Sequence, residues 1–271
     1  MNRSLLSFRI LSVISVVLFS FHSAVASIAV LSDLSDERRA LPGETYTGSI
    51  QLRNLGTELE EVRIYQTDYL FNSNGTSFYN EPGKAVRSNA GWIEFSPKRV
   101  NIPGQEDAAV QFTVRVPNAD SLSGTYWSIL MVEPIPKTSP ESERTEPHIG
   151  ITAVMRYAVQ IVTNVGSEGI RKINFMGSKL VSEDSKRIFQ VDLESTGTSM
   201  VRPRVTVQLF DSTGKSYGPF DSENLRIYPG TSLRHRFDLS AITAGIYKAL
   251  VVADCGDEDV FGIHYTLRIE K

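Results

Sequence analysis

Residues 70–78 read LFNSNGTSF and residues 209–217 read LFDSTGKSY. Each is an apolar strand end, a short polar turn with a glycine, and the start of another strand; glycine is favoured in such a turn because it takes a positive φ without strain. The likeness continues on both sides. Asn54-Leu55-Gly56-Thr57 answers Ser195-Thr196-Gly197-Thr198, Pro103-Gly104 answers Pro229-Gly230, and Ser123-Gly124-Thr125-Tyr126 answers Ala244-Gly245-Ile246-Tyr247. One β module is therefore written twice, head to tail. The spacing between partners falls from 139 residues at Leu70/Leu209 to 126 at Pro103/Pro229, so the first copy carries 13 extra residues within 79–96.

Working outward, period-two alternation with turn residues every 8 to 12 positions dominates the chain after its first segment, and no helical stripe competes with it. In the first module 28–31, 45–53, 62–71, 92–95, 109–116, 125–132 and 149–162 read as strands. In the second, 173–180, 188–193, 204–210, 225–228, 232–239, 245–252 and 260–269 do. About seven strands per module predict an all-β protein of two tandem immunoglobulin-like β-sandwiches, spanning 27–165 and 166–271. The polar stretch 163–169 between them is too short for a long tether, which predicts restricted relative motion. Tyr126 and Tyr247 each open an apolar strand after a short polar turn, the setting of a tyrosine corner.

The first 26 residues decide the compartment. Arg3 and Arg9 precede the apolar run 10–21, and Ala24-Val25-Ala26 offers a small-x-small cleavage site before Ser27, the pattern of a secretory signal. Nothing later approaches the roughly 18 apolar residues of a helical membrane span. A periplasmic protein without a membrane span is expected. Removing the signal leaves 26 basic against 31 acidic residues, a net charge of -5, with no basic run to mark a nucleic-acid footprint. Cys255 is the only cysteine, so the fold must rest on apolar cores rather than on disulfides.

Chemistry finds little purchase. His148, His235 and His264 are far apart and lie in no hydrolase, metalloprotease or phosphate-loop pattern, and no His or Asn near Cys255 supports a thiol nucleophile. The expectation is a non-enzyme with no cofactor and no metal. Asp254, Asp257, Glu258 and Asp259 crowd one loop, as Ca²⁺ ligands do, yet without EF-hand spacing a solvated acidic turn is the simpler reading.

Three segments invite a binding role. The insert carries Tyr79, Lys84, Arg87 and Trp92, an aromatic and basic set suited to a saccharide or peptide platform, while core packing is the plainer role for Trp92. Residues 133–147, with four prolines among polar residues, form either a solvated excursion or an arm that orders on a partner. The run 149–161, IGITAVMRYAVQI, places Ile149, Ile151, Ala153, Met155, Tyr157, Val159 and Ile161 on one face. Such a strand either closes its own sandwich or lends alternate side chains to another β protein.

Leu41-Pro42-Gly43-Glu44, Ile50-Gln51-Leu52-Arg53-Asn54, Trp92-Ile93, Ser96-Pro97, Val114-Arg115-Val116-Pro117 and Gly124-Thr125-Tyr126-Trp127 resemble the immunoglobulin-like domains of periplasmic pilus-assembly chaperones and the peptidoglycan-binding domain of WxL surface proteins. The resemblance covers 27–163. The chaperone likeness implies two sandwiches with a cleft between them, a last strand of the first domain that completes an incomplete pilin or surface-fibre subunit, and an outer-membrane assembly protein as a further partner. It also implies a basic residue after the first strand, for which Arg38 or Arg39 stands here, and one in the last strand. Arg156 is the only basic residue there, although the family's position falls nearer Ala158. The strand ends in Thr163-Asn164 rather than in the family's aromatic-basic-proline ending. The implied partner-binding set is Arg38, Arg39, Ile149, Ile151, Ala153, Met155 and Arg156; the second likeness implies peptidoglycan or a surface partner instead.

Overall fold

A computed structural model of the chain describes residues 27–136 and 154–270. The signal 1–26, most of the proline-bearing stretch 133–147, and Ile149, Ile151 and Ala153 lie outside the described residues.

The first module holds β1 (Ile28–Val30), β2 (Ser35–Ala40), β3 (Thr45–Asn54), β4 (Glu60–Phe71), β5 (Ser77–Asn80), β6 (Ile93–Ser96), β7 (Arg99–Ile102), β8 (Asp107–Arg115), β9 (Gly124–Pro134) and β10 (Tyr157–Val165). One sheet runs β1-β3-β8-β6 and faces a second, β2-β10-β9-β4-β5, with β7 paired to the start of β4. Alternation builds the core between them: Ile50 and Leu52 of β3, Val110, Phe112 and Val114 of β8, and Leu130 and Val132 of β9 are buried together. Gly48 belongs to this packing, because a Cβ there would sit 2.2 Å from the Phe112 ring.

The second module holds β11 (Ile173–Glu183), β12 (Lys186–Ser195), β13 (Arg204–Phe210), β14 (Ser216–Asp221), β15 (Ser232–Asp238), β16 (Gly245–Asp254) and β17 (Val260–Ile269). Its sheets run β11-β12-β15 and β14-β13-β16-β17. Phe189, Val191, Val207, Leu209, Phe237 and Val251 fill the space between them. The chain is thus all-β, two immunoglobulin-like sandwiches in tandem.

The duplicated hairpin is reproduced bond for bond. Asn72 N–H donates to Thr76 O at 2.9 Å and Gly75 N–H to Asn72 O at 2.9 Å; Asp211 N–H donates to Lys215 O at 3.1 Å and Gly214 N–H to Asp211 O at 3.0 Å. The two glycines have φ of 87° and 86°. Among the described residues the tyrosine corner forms once, where the Tyr247 hydroxyl donates to Thr243 O at 3.0 Å. Tyr126 instead packs its ring on Trp92, with centroids 4.7 Å apart, beneath the Arg87 guanidinium.

Several strand expectations need correction. Residues 225–228 form no strand, only an isolated bridge from Ile227 to Val201. The last strand of the first module begins its ladder at Tyr157 and runs on to Val165. The sequence reading passes over β2 altogether, because SDERRA has no apolar alternation; parallel pairing with β10 makes it a strand in spite of its composition. It also passes over β5, β7 and β14, short edge segments set by their neighbours.

The two modules are bonded to each other. Tyr228 stacks on Trp127, with ring centroids 4.6 Å apart and an interplanar angle of 9°, in a cluster with Phe71 and Val162. Backbone joins backbone where Thr125 N–H donates to Thr198 O at 2.9 Å, and Gly124 lies so close that a Cβ would meet Thr198 O at 2.2 Å. The Thr125 hydroxyl accepts from Met200 N–H at 2.9 Å, and Ser232 Oγ accepts from Ser73 N–H at 3.0 Å.

Candidate functional site: an intermodule cleft and the open half of β10

A cleft of about 700 Å³ opens between the modules, lined by Asp33, Leu34, Tyr69, Phe71, Gln160 and Arg226, among others. Its floor is a hydrogen-bonded knot. The Tyr228 hydroxyl donates to Gln160 Oε1 at 2.5 Å, and Arg226 donates to Ser35 Oγ and to the Tyr228 hydroxyl, both at 2.8 Å. Arg226 also lies 3.5 Å from the Glu37 carboxylate, which Arg202 approaches to 2.6 Å. Burial pushes the Tyr228 hydroxyl above its ordinary pKa, so it remains a donor at neutral pH. Along one wall, Tyr79 stacks on Tyr69, Tyr69 meets Phe71, and Phe71 meets Tyr228 edge-on.

Next to the cleft, β10 changes character along its length. From Gln160 to Val165 it is paired on both sides, parallel to β2 and antiparallel to β9. From Tyr157 to Val159 its only partner among the described residues is β9. Gln160 N–H reaches across to Leu34 O at 2.9 Å. The two-residue alternation of a strand therefore turns the N–H and C=O of Ala158 to the same side, where β2 does not reach. Apolar side chains flank this open edge: Leu34 is 48% exposed, Val154 36% and Met155 56%.

Of the sequence-predicted set the structure describes Arg38, Arg39, Met155 and Arg156, and it does not bring these four together. Arg38 lies opposite Thr163 and bonds Asp36 on its own strand at 2.8 Å, and Arg39 lies exposed opposite Asn164. Arg156 sits seven positions before Thr163, roughly 23 Å along the strand, and pairs with Glu133 at 2.8 Å. Met155 lies beyond the end of the ladder, on the parity of Tyr157 and Val159. The cation in the cleft is Arg226, from the second module. Sequence reasoning missed Arg226 and Tyr228, although the duplication held a signal. Counting back from the Pro-Gly turns, they align with Val100 and Ile102, core-facing residues of the first copy. A charged and a hydroxyl-bearing residue at two apolar places of a repeat marks positions with another duty.

Other candidates resolve differently. Asp257 and Asp259 are taken up by Arg171, at 2.9 and 3.3 Å, and among the described residues no group of three His, Cys, Asp or Glu is placed to hold a metal. Burial pushes the Cys255 thiol up to about 11. His235 is buried, its Nδ1 2.7 Å from Ser222 Oγ, and His264 is exposed. Trp92 is half-buried against the first core, whereas Tyr79 is 54% exposed. The insert is fastened by Asp68, a buried carboxylate that accepts N–H bonds from Gly83, Lys84 and Ala85. Among the described residues no helix is long and apolar enough to cross a membrane.

The sheets and the cleft define a two-domain immunoglobulin-like protein. No family model and no curated protein matches the chain. Solved structures do. The class 5 fimbriae chaperone CfaA is 14% identical, with 88% of this chain and 98% of that chain covered and a TM-score of 0.47. The Escherichia coli chaperone DraB is 11% identical over 88% and 98%, with a TM-score of 0.41. A chain from the Salmonella enterica complex of SafA pilin with the SafB chaperone is 10% identical over 90% and 98%, with a TM-score of 0.42.

Proposed function

We propose that this is an exported, non-enzymatic chaperone of the periplasm that assists the folding or assembly of pilus or surface-fibre subunits by β-strand addition, with 27–165 and 166–271 as its two folding units. The observation that carries the reading is the open half of β10. A strand buried at one end presents, at the other, backbone groups that no described residue pairs, flanked by Leu34, Val154 and Met155. Edge backbone of that kind is normally shielded, since it templates pairing with another chain. An incoming strand would gain ladder bonds from Ala158 and apolar contact from the flanking side chains. The bonded intermodule floor adds a fixed wall on which a client can rest. Genes for an outer-membrane usher and pilins beside this one would fit the reading.

Ala158→Pro tests it. Proline removes the outward N–H while sparing the β9 ladder, as proline does on edge strands. Co-expression with a fibre subunit should give a folded variant that no longer recovers the subunit. Undiminished recovery by the folded variant would exclude strand addition at this edge.

A second reading, a module for cell-wall glycan or a surface partner, draws on the exposed Tyr79, stacked on Tyr69 of the cleft lining. Tyr79→Ala should then abolish pull-down on purified peptidoglycan with no change in unfolding; unchanged pull-down removes this reading.

A further inference from the structure

The β9–β10 ladder ends at Tyr157 opposite Val132, two residues before Pro134, which has no N–H to donate. Continued by one step, the register sets Arg156 opposite Glu133, and an ion pair stands there, Arg156 Nε to Glu133 Oε1 at 2.8 Å. The other carboxylate oxygen, Oε2, accepts from Arg63 at 2.5 Å, and Arg63 is the residue opposite Glu133 on β4. The three residues form a row across the sheet, arginine, glutamate, arginine. Arg63 is itself steadied, its guanidinium 4.9 Å from the Tyr65 ring centroid. The Glu133 side chain is only 12% exposed, and the Arg63 hydrogen bond, ahead of the Coulombic pull of Arg63 and Arg156, holds its carboxyl below the ordinary range.

We propose that Glu133 is a positioning residue, which keeps residues 154–156 in line with β10 so that the open edge continues past the last ladder pair as a preformed landing strip for an added strand. This rests on the strand-addition reading. The two outer partners of the row are exposed, Arg63 by 48% and Arg156 by 57%. Pairs whose cations stay solvated in this way add little to global stability. What the row decides is local: without it nothing described beyond Tyr157 ties the strip to β9, and a site competent only part of the time binds correspondingly more weakly.

The test uses the full mature protein with Glu133→Gln and, as a variant altered from the exposed side, Arg156→Gln. Backbone ¹⁵N order parameters report on 154–156, and the binding probe is a synthetic peptide of alternating valine and threonine, about ten residues long. In both variants the order parameters of 154–156 should fall from above about 0.8 to below about 0.6, with the thermal unfolding midpoint unmoved. Peptide affinity should weaken by about ten-fold. Raising salt from about 0.05 M to about 1 M should weaken the wild type only part of the way towards Glu133→Gln, since the half-buried carboxylate is screened less than an exposed one, and should leave that variant unaffected. Order parameters that do not change overturn the proposal whatever the peptide does, and so does undiminished peptide affinity once order is lost. A wild-type protein that takes no peptide, while both variants lose order at 154–156, supports the row as an anchor of that segment and sinks strand addition instead.

Discussion

The last strands of the two modules, β10 and β17, occupy the same place in a duplicated fold and meet different surroundings. β17 pairs with β16 along its whole length and lies at the edge of its sheet, with Gly262, His264, Thr266 and Arg268 turned to solvent and Leu267 and Ile269 to the core. From Gly262 onward its faces alternate in the ordinary way, polar outside and apolar inside. β10 is covered on both faces in its second half: Ile161 joins the first core, while Val162 joins the cluster shared with Tyr228 of the second module. Among the described residues its first half lacks the β2 partner, and Leu34, Val154 and Met155 lie exposed beside it together with the Arg156–Glu133 pair. The module interface accounts for the difference, since it buries the second half of β10 and leaves the first half outside it.

The largest expected effect contrasts the two strands directly. Val162→Asp places an unpaired carboxylate in the intermodule cluster and should cost on the order of 4 kcal/mol in urea unfolding. Thr266→Asp on the solvent face of β17 should change stability by less than about 0.5 kcal/mol. Equal effects would break the comparison. Next, Tyr228→Ala should cost about 3 kcal/mol, with scattering data showing a wider spread of module orientations, because it removes the stacking on Trp127 and the bond to Gln160 together. Retention of a single fixed orientation would mean that the backbone contacts at Thr125 suffice.

A pH titration separates the modules by a third route. Burial pushes the His235 imidazole of β15 down to about 4 from its ordinary 6.5. The unfolded chain therefore takes up a proton below pH 6.5 that the folded one refuses until about pH 4. Stability falls as pH drops through that window, by about 2 kcal/mol between pH 7 and pH 5. His235→Gln should remove that slope, read by circular dichroism in urea unfolding at pH 7 and pH 5; an unchanged slope would mean that another group carries it.

Much of this architecture was legible because the sequence repeats itself: the two hairpins around Gly75 and Gly214 form the same bonds the repeat implies. What local pattern could not carry was β2, whose charged residues become a strand only through a partner more than a hundred residues away. The cleft was legible only in part. Arg38, Arg39 and Arg156 were drawn from a resemblance, and the chain sets them at opposite ends of β10. Arg226 and Tyr228 lay in a segment that reads as a strand, and their duty becomes visible only when Gln160 and Trp127 fold against them. The apolar parity of 149–161 did foretell the inward Tyr157, Val159 and Ile161, but parity cannot say where pairing to β2 stops.

Strand addition at the open half of β10 is tested most directly by Met155→Asp, measured in one preparation for unfolding free energy and for recovery of a fibre subunit. Met155 is exposed and beyond the ladder, so the variant should match the wild type in stability to within about 0.5 kcal/mol. It should nonetheless fail to recover the subunit, because the new carboxylate would be buried against the client's apolar strand. A variant that unfolds would mean that Met155 is ordinary core, and a folded variant that recovers the subunit as well as the wild type would contradict the account.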